Sequence, residues 1–301
     1  MNLLEKLGYY FLHPNNIRIA WLIKHSKNYS DEEYLIKLFK VKCGYKPNLE
    51  NPQTFNEKLN WLKLHHHNPL LTILADKYAV KEYVKEKIGV EYVVPNYGVW
   101  GSFDEIDFDN LPSKFVLKAT HDSGGATIVR DKKTLDVGEV RKKMEKQLST
   151  GFYWASREWP YKDIPRRIIA DELLNDHTGN ELRDYKFWCF NGMPKYMYLT
   201  IKGKNIYENF YDMDFRPANI NHGFPRHQPE FEKPYGFETM KELAAKLSQG
   251  LPFVRIDFFL VDKIIYFGEF TFFDWGGTRP FESYEMDLEL GKLIDLSIVK
   301  Q

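Results

Sequence analysis

Cysteine is nearly absent. Cys43 and Cys189 are the only two in 301 residues. They are too far apart for a metal motif or a disulfide framework, so the expected setting is a reducing cytoplasm. A surplus of charge is absent too. Lys and Arg number 42 against 42 Asp and Glu, which removes any general electrostatic case for a nucleic-acid partner. No apolar run approaches the roughly 18–20 residues of a membrane span. The opening MNLLEKLGYYFLHPNN has neither the basic start nor the long apolar centre of a signal peptide. Internal repeats and low-complexity linkers are missing. No glycine loop runs into Gly-Lys-Ser/Thr, and no Gly-x-Ser-x-Gly occurs, so neither a P-loop nor a serine-nucleophile elbow is expected.

What is present suits a globular chain of one large or two to three small domains, with 43% hydrophobic and 28% charged residues. Aromatics reach 16% and serve mainly as core. The first 70 residues read as helical. Leu3, Leu4, Leu7, Tyr10 and Phe11 have helical spacing, as do Tyr34, Leu35, Leu38 and Phe39 after Asp31-Glu32-Glu33. Thr54 with Glu57 forms a capping-box signature. Residues 75–89 read as a helix with Asp76 as N-cap and Gly89 as stop. VEYVVPNYGVW, FVLK and RRIIADELL read as strands, and residues 136–148 as a solvated helix. DYKFWCFNGMPKYMYLTIKG is a hairpin turning at Asn191-Gly192. FETMKELAAKLSQGLP is a helix, and the strands of FVRIDFFLVDKIIYFGEFTFF turn at Asp262-Lys263. Helices and antiparallel hairpins without strict alternation imply an α+β architecture with more than one lobe.

Three stretches carry candidate chemistry. In KFVLKATHDSGGATIVRD, Lys118 ends a strand before Ser123, Gly124 and Gly125. A lysine facing a glycine loop suits phosphate oxygens, and a hairpin with a solvated lysine is the competing reading. In the last hairpin, Arg255 and Asp257 share a face of one strand, and Glu269 and Thr271 share a face of the next. The hairpin sets the two acids side by side among apolar neighbours. Such acids need a counter-charge, either Mg²⁺ with nucleotide phosphates or an ion pair with Arg255 or Lys186. After I-I-A-D, the link from Glu172 to Leu174 offers backbone groups to a base, and Asp184 offers a carboxylate to a ribose. His65-His66-His67 point in different directions on a helix and cannot chelate one ion well. Asp212-Met213-Asp214 has the D-x-D form of metal-dependent nucleotide-sugar transferases, but the turn reading is the favoured one, since Asp and Pro are common turn residues.

The order Asp76-Lys77-x-x-x-Lys81, FVLK with Ser-Gly-Gly, IIADELL, Arg255-Ile-Asp257 and Glu269-Phe-Thr271 resembles the ATP-grasp superfamily. TFNEKLNWLKL, LADKYAVKEYV, IDFDNLPSKFVLKATHDSGG and DYKFWCFNG resemble its TupA-like branch, named for teichuronopeptide synthesis and tied to surface polysaccharides. The resemblance implies an ATP-grasp fold of two α+β lobes clasping ATP after a helical N-terminal region. Its divisions would be 1–70, 71–168 with the glycine loop, and 169–301 with the metal site. It implies Lys77 and Lys118 on ATP phosphates under the Ser123-Gly124-Gly125 loop, Glu172 and Leu174 at the adenine, Asp184 at the ribose and Lys186 as a further contact. Asp257, Glu269 and Thr271 would hold Mg²⁺, with Mn²⁺ as an alternative. Arg255 and Lys118 would act in catalysis. Threonine at 271 replaces the asparagine of many members, and Asp122 adds a negative charge to the loop. The implied activity is a ligase that makes an acyl phosphate and then an amide, joining an amine or amino acid to a sugar carboxylate. Asp274 and Arg279 in FDWGGTRPFE are candidates for the acceptor pocket. A glycosyltransferase using Asp212 and Asp214, or a kinase on the same ATP site, is the alternative. Peripheral association with membrane polysaccharide machinery at the inner membrane face is the expected partnership, and nucleic acid is not expected.

Overall fold

The computed structural model describes residues 14–174, 182–202 and 205–299. The Leu3-to-Phe11 pattern therefore lies outside the described residues. Capping defines the early helices. Ser30 and Glu33 form a capping box at the helix Asp31–Cys43, and Thr54 and Glu57 form another at Phe55–His65. Asp136 caps Val137–Ser149 through the Glu139 N–H.

The strands form two antiparallel sheets. One is four-stranded: β1 (Asn96–Trp100), β2 (Phe115–Ala119), β3 (Thr127–Val129) and β4 (Ile168–Glu172), in the order β1-β4-β2-β3. The other is five-stranded: β5 (Asp184–Phe190), β6 (Met193–Lys202), β7 (Ile206–Asp212), β8 (Phe253–Val261) and β9 (Ile264–Thr271), in the order β7-β6-β5-β8-β9. The β5–β6 turn places Asn191 and Gly192 at positive φ, and the β8–β9 turn does the same with Asp262 and Lys263. That is the handedness a tight hairpin demands. The strand expected over VEYVVPNYGVW is shorter than its apolar run, because Val90–Tyr92 wind into a 3₁₀ turn and β1 starts at Asn96.

Period-two alternation sorts the side chains. On the five-stranded sheet, Phe187, Cys189, Ile256 and Phe270 are buried, and Phe187 packs on Phe237 of the helix Phe237–Leu247. Each such ring contributes about 1.5–3 kcal/mol through burial. The opposite face carries Lys186, Asp257 and Glu269. At its end Trp188 packs on Phe55 and Phe281. Phe115, Leu117, Ile168 and Ala170 form the core of the smaller sheet with Val140 and Met144. The helices Phe55–His65 and Ala79–Ile88 share the core of the larger sheet through Phe55, Leu59, Leu62, Val80 and Val84.

The regular helix begins only at Ala79, but Asp76 caps the turn that leads into it. Asp76 is extended, one carboxylate oxygen accepts from the Tyr78 N–H (2.9 Å), and its carbonyl accepts from the Val80 N–H (3.0 Å). The other carboxylate oxygen pairs with Arg167 (2.6 Å), and the Lys77 N–H goes to the Thr120 carbonyl (3.1 Å). The same residue therefore caps the turn and ties it to the four-stranded sheet.

Two ties, one buried and one half-exposed, hold irregular segments. The Lys63 ammonium donates to the carbonyls of Ser156 (2.9 Å) and Gly276 (2.7 Å). Glu230 receives Arg226 twice (2.6 and 2.9 Å) and the Tyr211 hydroxyl (2.7 Å), pinning the segment after β7 to that edge strand. Lys63→Met leaves two carbonyls unsatisfied and is expected to cost about 2–4 kcal/mol, read as a lower urea midpoint. The hydrogen bonds from Arg226 hold the Glu230 carboxyl down at about 2. A lowered pKa stabilises the fold above the ordinary carboxyl range, and that stability is lost as pH falls from about 4.5 toward 2. Glu230→Gln is expected to lose about 1–2 kcal/mol at neutral pH after solvent screening, and almost nothing near pH 2, in acid-unfolding curves.

Candidate functional site

On the five-stranded sheet Arg255 pairs with Thr271, Asp257 with Glu269, and Lys186 with Asp257. Directly paired residues share a face, so all five side chains project from one side. Gly268 is the extra residue of a bulge beside Asp257. A Cβ there would lie 3.0 Å from the Asp257 carbonyl oxygen, so the close approach requires glycine.

The Arg255 guanidinium organises this face. Its Nε and Nη2 meet the two Asp257 oxygens at 2.7 Å each, and Nη2 also meets Glu269 Oε1 at 2.7 Å. Nη1 meets Asp274 Oδ1 at 2.6 Å. Asp257 is 3% exposed, and burial pushes its carboxyl up to about 7 against the pull of Arg255. The Glu269 side chain is 48% exposed. Burial raises its pKa, but Arg255 and Lys77 outweigh that and hold the carboxyl low. Thr271 donates to Glu269 Oε1 (3.1 Å), so here it orients that carboxylate.

A cationic nitrogen thus sits between oxygens of Asp257 and Glu269. Two carboxylates converging on one point suit a hard cation that takes its remaining ligands from phosphate and water, as Mg²⁺ does. Among the described residues no cluster of three or more His, Cys, Asp or Glu is placed to hold a metal, so protein ligands alone would leave such an ion incompletely coordinated.

The smaller sheet supplies the cations. Lys118 pairs with Asp171 (2.9 Å), and Lys81 pairs with the other Asp171 oxygen (3.0 Å). Asp171 thereby links β4 to the helix Ala79–Ile88. The Lys77 ammonium donates to the Asp122 carbonyl of the glycine loop. Burial lowers the Lys77 pKa, while Glu269 raises it and Lys118 lowers it further. Lys77, just ahead of the helix Ala79–Ile88, therefore lies within electrostatic reach of Lys118 on the smaller sheet and of Glu269 on the larger one. Ser123, Gly124 and Gly125 are exposed, with both glycines at positive φ. The Asp122 carboxylate accepts from the Ser123 N–H (2.8 Å) and Gln147 (3.3 Å), so it is turned into the loop's own framework.

Glu172 closes β4, and its N–H goes to the Pro95 carbonyl (2.9 Å). That N–H is unavailable to a base, a correction to the expected contact. Leu174 is half-buried in the link that follows. Asp184 pairs with Lys186 at 3.0 Å.

Asp274 requires a larger correction. Expected in an acceptor pocket, it is fully buried, and its oxygens are taken by Arg255, the Trp188 indole N–H (3.0 Å) and the Tyr198 hydroxyl (3.4 Å). It positions Arg255. Arg279 does face partly outward. Its guanidinium lies over Phe224 (3.6 Å) and Trp275 (4.2 Å), and Nε donates to the His222 carbonyl. Asp212 accepts from the Asp214 and Arg216 N–H groups (2.9 and 2.8 Å), so the D-x-D forms a turn. His65 ends its helix and His66 caps it.

Sequence reasoning missed Asp171, Tyr198, Glu208 and His222. Asp171 carried a signal: an acid following apolar Ile168, Ile169 and Ala170 on a buried strand needs a counter-charge. His222 sits in an irregular segment and carried none.

The chain matches the family model described as TupA-like ATPgrasp over residues 57–295. Among solved structures it is similar to D-alanine–D-alanine ligase from Helicobacter pylori, at 13% identity and TM-score 0.43, over 80% of this chain and 69% of that one. It is also similar to the ATP-grasp ligase PsnB complexed with minimal precursor, at 10% identity and TM-score 0.40, over 69% of this chain and 55% of that one. An L-amino acid ligase from Bacillus licheniformis aligns at 11% identity and TM-score 0.38, over 65% of this chain and 42% of that one. Across the PsnB structures the chain spans 55–67% of that protein's length. No curated protein sequence matches. The family match takes in Lys77, Lys118, Asp257 and Glu269, and the chain belongs to the TupA-like ATP-grasp family.

Proposed function

We propose that the chain is an ATP-dependent carboxylate–amine ligase acting on a sugar carboxylate, such as a uronic acid, in surface-polysaccharide synthesis. The observation that carries this is the electrostatic link from Lys118 through Lys77 to Glu269 of the Arg255–Asp257–Glu269 cluster, with the Lys77 ammonium bound to the Asp122 carbonyl of the glycine loop. Cations on one side and carboxylates with an arginine on the other suit a nucleotide triphosphate held between them.

In this reading Lys77 and Lys118 take phosphate oxygens, and the Ser123-Gly124-Gly125 loop covers them with backbone N–H donors. Glu172 and Leu174 border the adenine, and Asp184 and Lys186 the ribose and phosphates. Asp257 and Glu269 would hold Mg²⁺ with Thr271 beside them, and the ion would neutralise phosphate charge there. The substrate carboxylate attacks the γ-phosphorus, and ADP leaves. An amine then attacks the acyl carbon, and inorganic phosphate leaves. Arg255 stabilises the transferring phosphoryl group by position and charge. Asp274, buried behind it, keeps the guanidinium aimed. The loop over the phosphates excludes water, which would otherwise hydrolyse the acyl phosphate. Arg279 offers its outer edge to a substrate carboxylate.

Mg²⁺-ATP is expected to raise the Tm of the wild type, and Lys118→Ala to abolish most of that rise. UDP-sugars with Mn²⁺ are expected to leave Tm unchanged, and a shift with them alone would overturn the reading. Arg255→Lys keeps a charge near the three acids but loses the fork. It is expected to keep the Mg²⁺-ATP shift and to slow acid- and amine-dependent phosphate release by about 10²-fold. ADP formation without phosphate release would instead identify a kinase.

A further inference from the structure

Several polar atoms around Asp274 and Arg279 have no assigned task. Glu208 on β7 is 3% exposed. Its Oε1 accepts from Thr200 (3.4 Å), but its buried Oε2 has no partner. Both ring nitrogens of His222 are likewise buried without partners. The His222 ring stacks on Phe281, and Nδ1 stands 3.9 Å from Asp274. Burial lowers the His222 pKa to about 4, so the ring is neutral. Arg279 is boxed by Phe224, Trp275 and the His222 carbonyl. Gly223 closes the box: a Cβ there would lie 3.1 Å from the guanidinium.

A buried carboxylate oxygen without a donor is costly, and a donor from a ligand would satisfy it. Register places Glu208 on the reactive face. Thr200 pairs with Glu208 and Tyr198 pairs with Lys186, which puts Glu208 on the side of Lys186 and Asp257. Asp274 ties the cluster to Arg255 at 2.6 Å. This corner therefore shares its sheet face with Arg255 and adjoins that guanidinium through Asp274.

We propose that Glu208 receives the ammonium of the acceptor amine and takes its proton, in the corner formed with His222, Asp274 and Arg279. The inference rests on the ligase reading. Glu208 Oε2 accepts one proton from the ammonium. The nitrogen lone pair forms the C–N bond to the acyl carbon of the acyl phosphate. The C–O bond to the phosphoryl group breaks, and its electron pair leaves with inorganic phosphate. The second nitrogen proton leaves on that phosphate. Burial pushes the Glu208 carboxyl up to about 7, with Asp274 raising it and Arg279, Lys186 and Thr200 opposing. Tyr198 also faces it. A carboxyl poised there is matched to proton transfer near neutral pH.

The test is thermal shift in Mg²⁺-ADP with a panel of primary amines: the common α-amino acids, ethanolamine and putrescine. At least one amine is expected to raise wild-type Tm, more at about pH 8 than at about pH 6, because Glu208 must be ionised to hold an ammonium. Its N-acetyl derivative is expected to give no rise. Glu208→Gln is expected to keep the Mg²⁺-ADP shift and to weaken the amine response about tenfold or more, without its pH dependence. Glu208→Asp, which keeps the charge on a shorter arm, is the second variant should Glu208→Gln not fold, and it is expected to weaken the response less. An amine response equal in wild type and variant overturns the assignment, as does the failure of every amine to shift the wild type. Absence of the Mg²⁺-ADP shift itself overturns the ligase reading, and the assignment with it.

Discussion

One guanidinium holds the reactive face together. Arg255 touches Asp257, Glu269 and Asp274 at 2.6–2.7 Å, so three acids from β8, β9 and the following loop converge on a single cation. Three carboxylates crowded into a half-dry corner would repel one another and force at least one to stay protonated. Arginine suits the position because its planar fork reaches several acceptors at once and stays charged. Lysine would neutralise the same charge without fixing the geometry.

Both sheets depend on similar arrangements. Asp171 does for the smaller sheet what Arg255 does for the larger, with opposite sign: one buried carboxylate takes Lys118 and Lys81. Each hub ties strands to a neighbouring element, and Lys77 and Glu269 are electrostatically coupled between them. Lys63 anchors the loop that carries Asp274 from the far side, through the Gly276 carbonyl. Ligand contacts and fold stability are therefore not separable here, since the groups that would touch phosphate also satisfy buried charge.

Much of this was legible in the sequence. The two hairpins declared themselves through Asn191-Gly192 and Asp262-Lys263. Strict alternation from the second turn would pair Asp257 with Gly268, so the juxtaposition of Asp257 and Glu269 depends on the Gly268 bulge, which alternation does not announce. Thr54 with Glu57 announced a helix start because a cap is a local, short-range arrangement. Asp76 was legible as a cap through the Tyr78 N–H two residues on, but its ion pair with Arg167 joins distant segments and no local pattern announces it. Asp274 misled for a related reason: a carboxylate in a glycine-rich stretch reads as exposed, while its burial is decided by Trp188 and Arg255, distant in sequence. Glu208 and the segment carrying His222 come together only after the chain following β7 folds back on its own strand, the Glu208 N–H reaching the Pro225 carbonyl (3.1 Å), and no spacing rule encodes that return.

Gly268 has a consequence for how such a chain can vary. Its bulge lets Phe267 and Phe270, three positions apart, both enter the core while Glu269 remains on the reactive side. Removing that one residue would bring β9 back into regular phase and exchange inward for outward positions along one arm of the hairpin. Side chains along β9 are free to drift in identity, but the number of residues between its turn and Glu269 is not. Within this strand, insertions and deletions should be far rarer than substitutions.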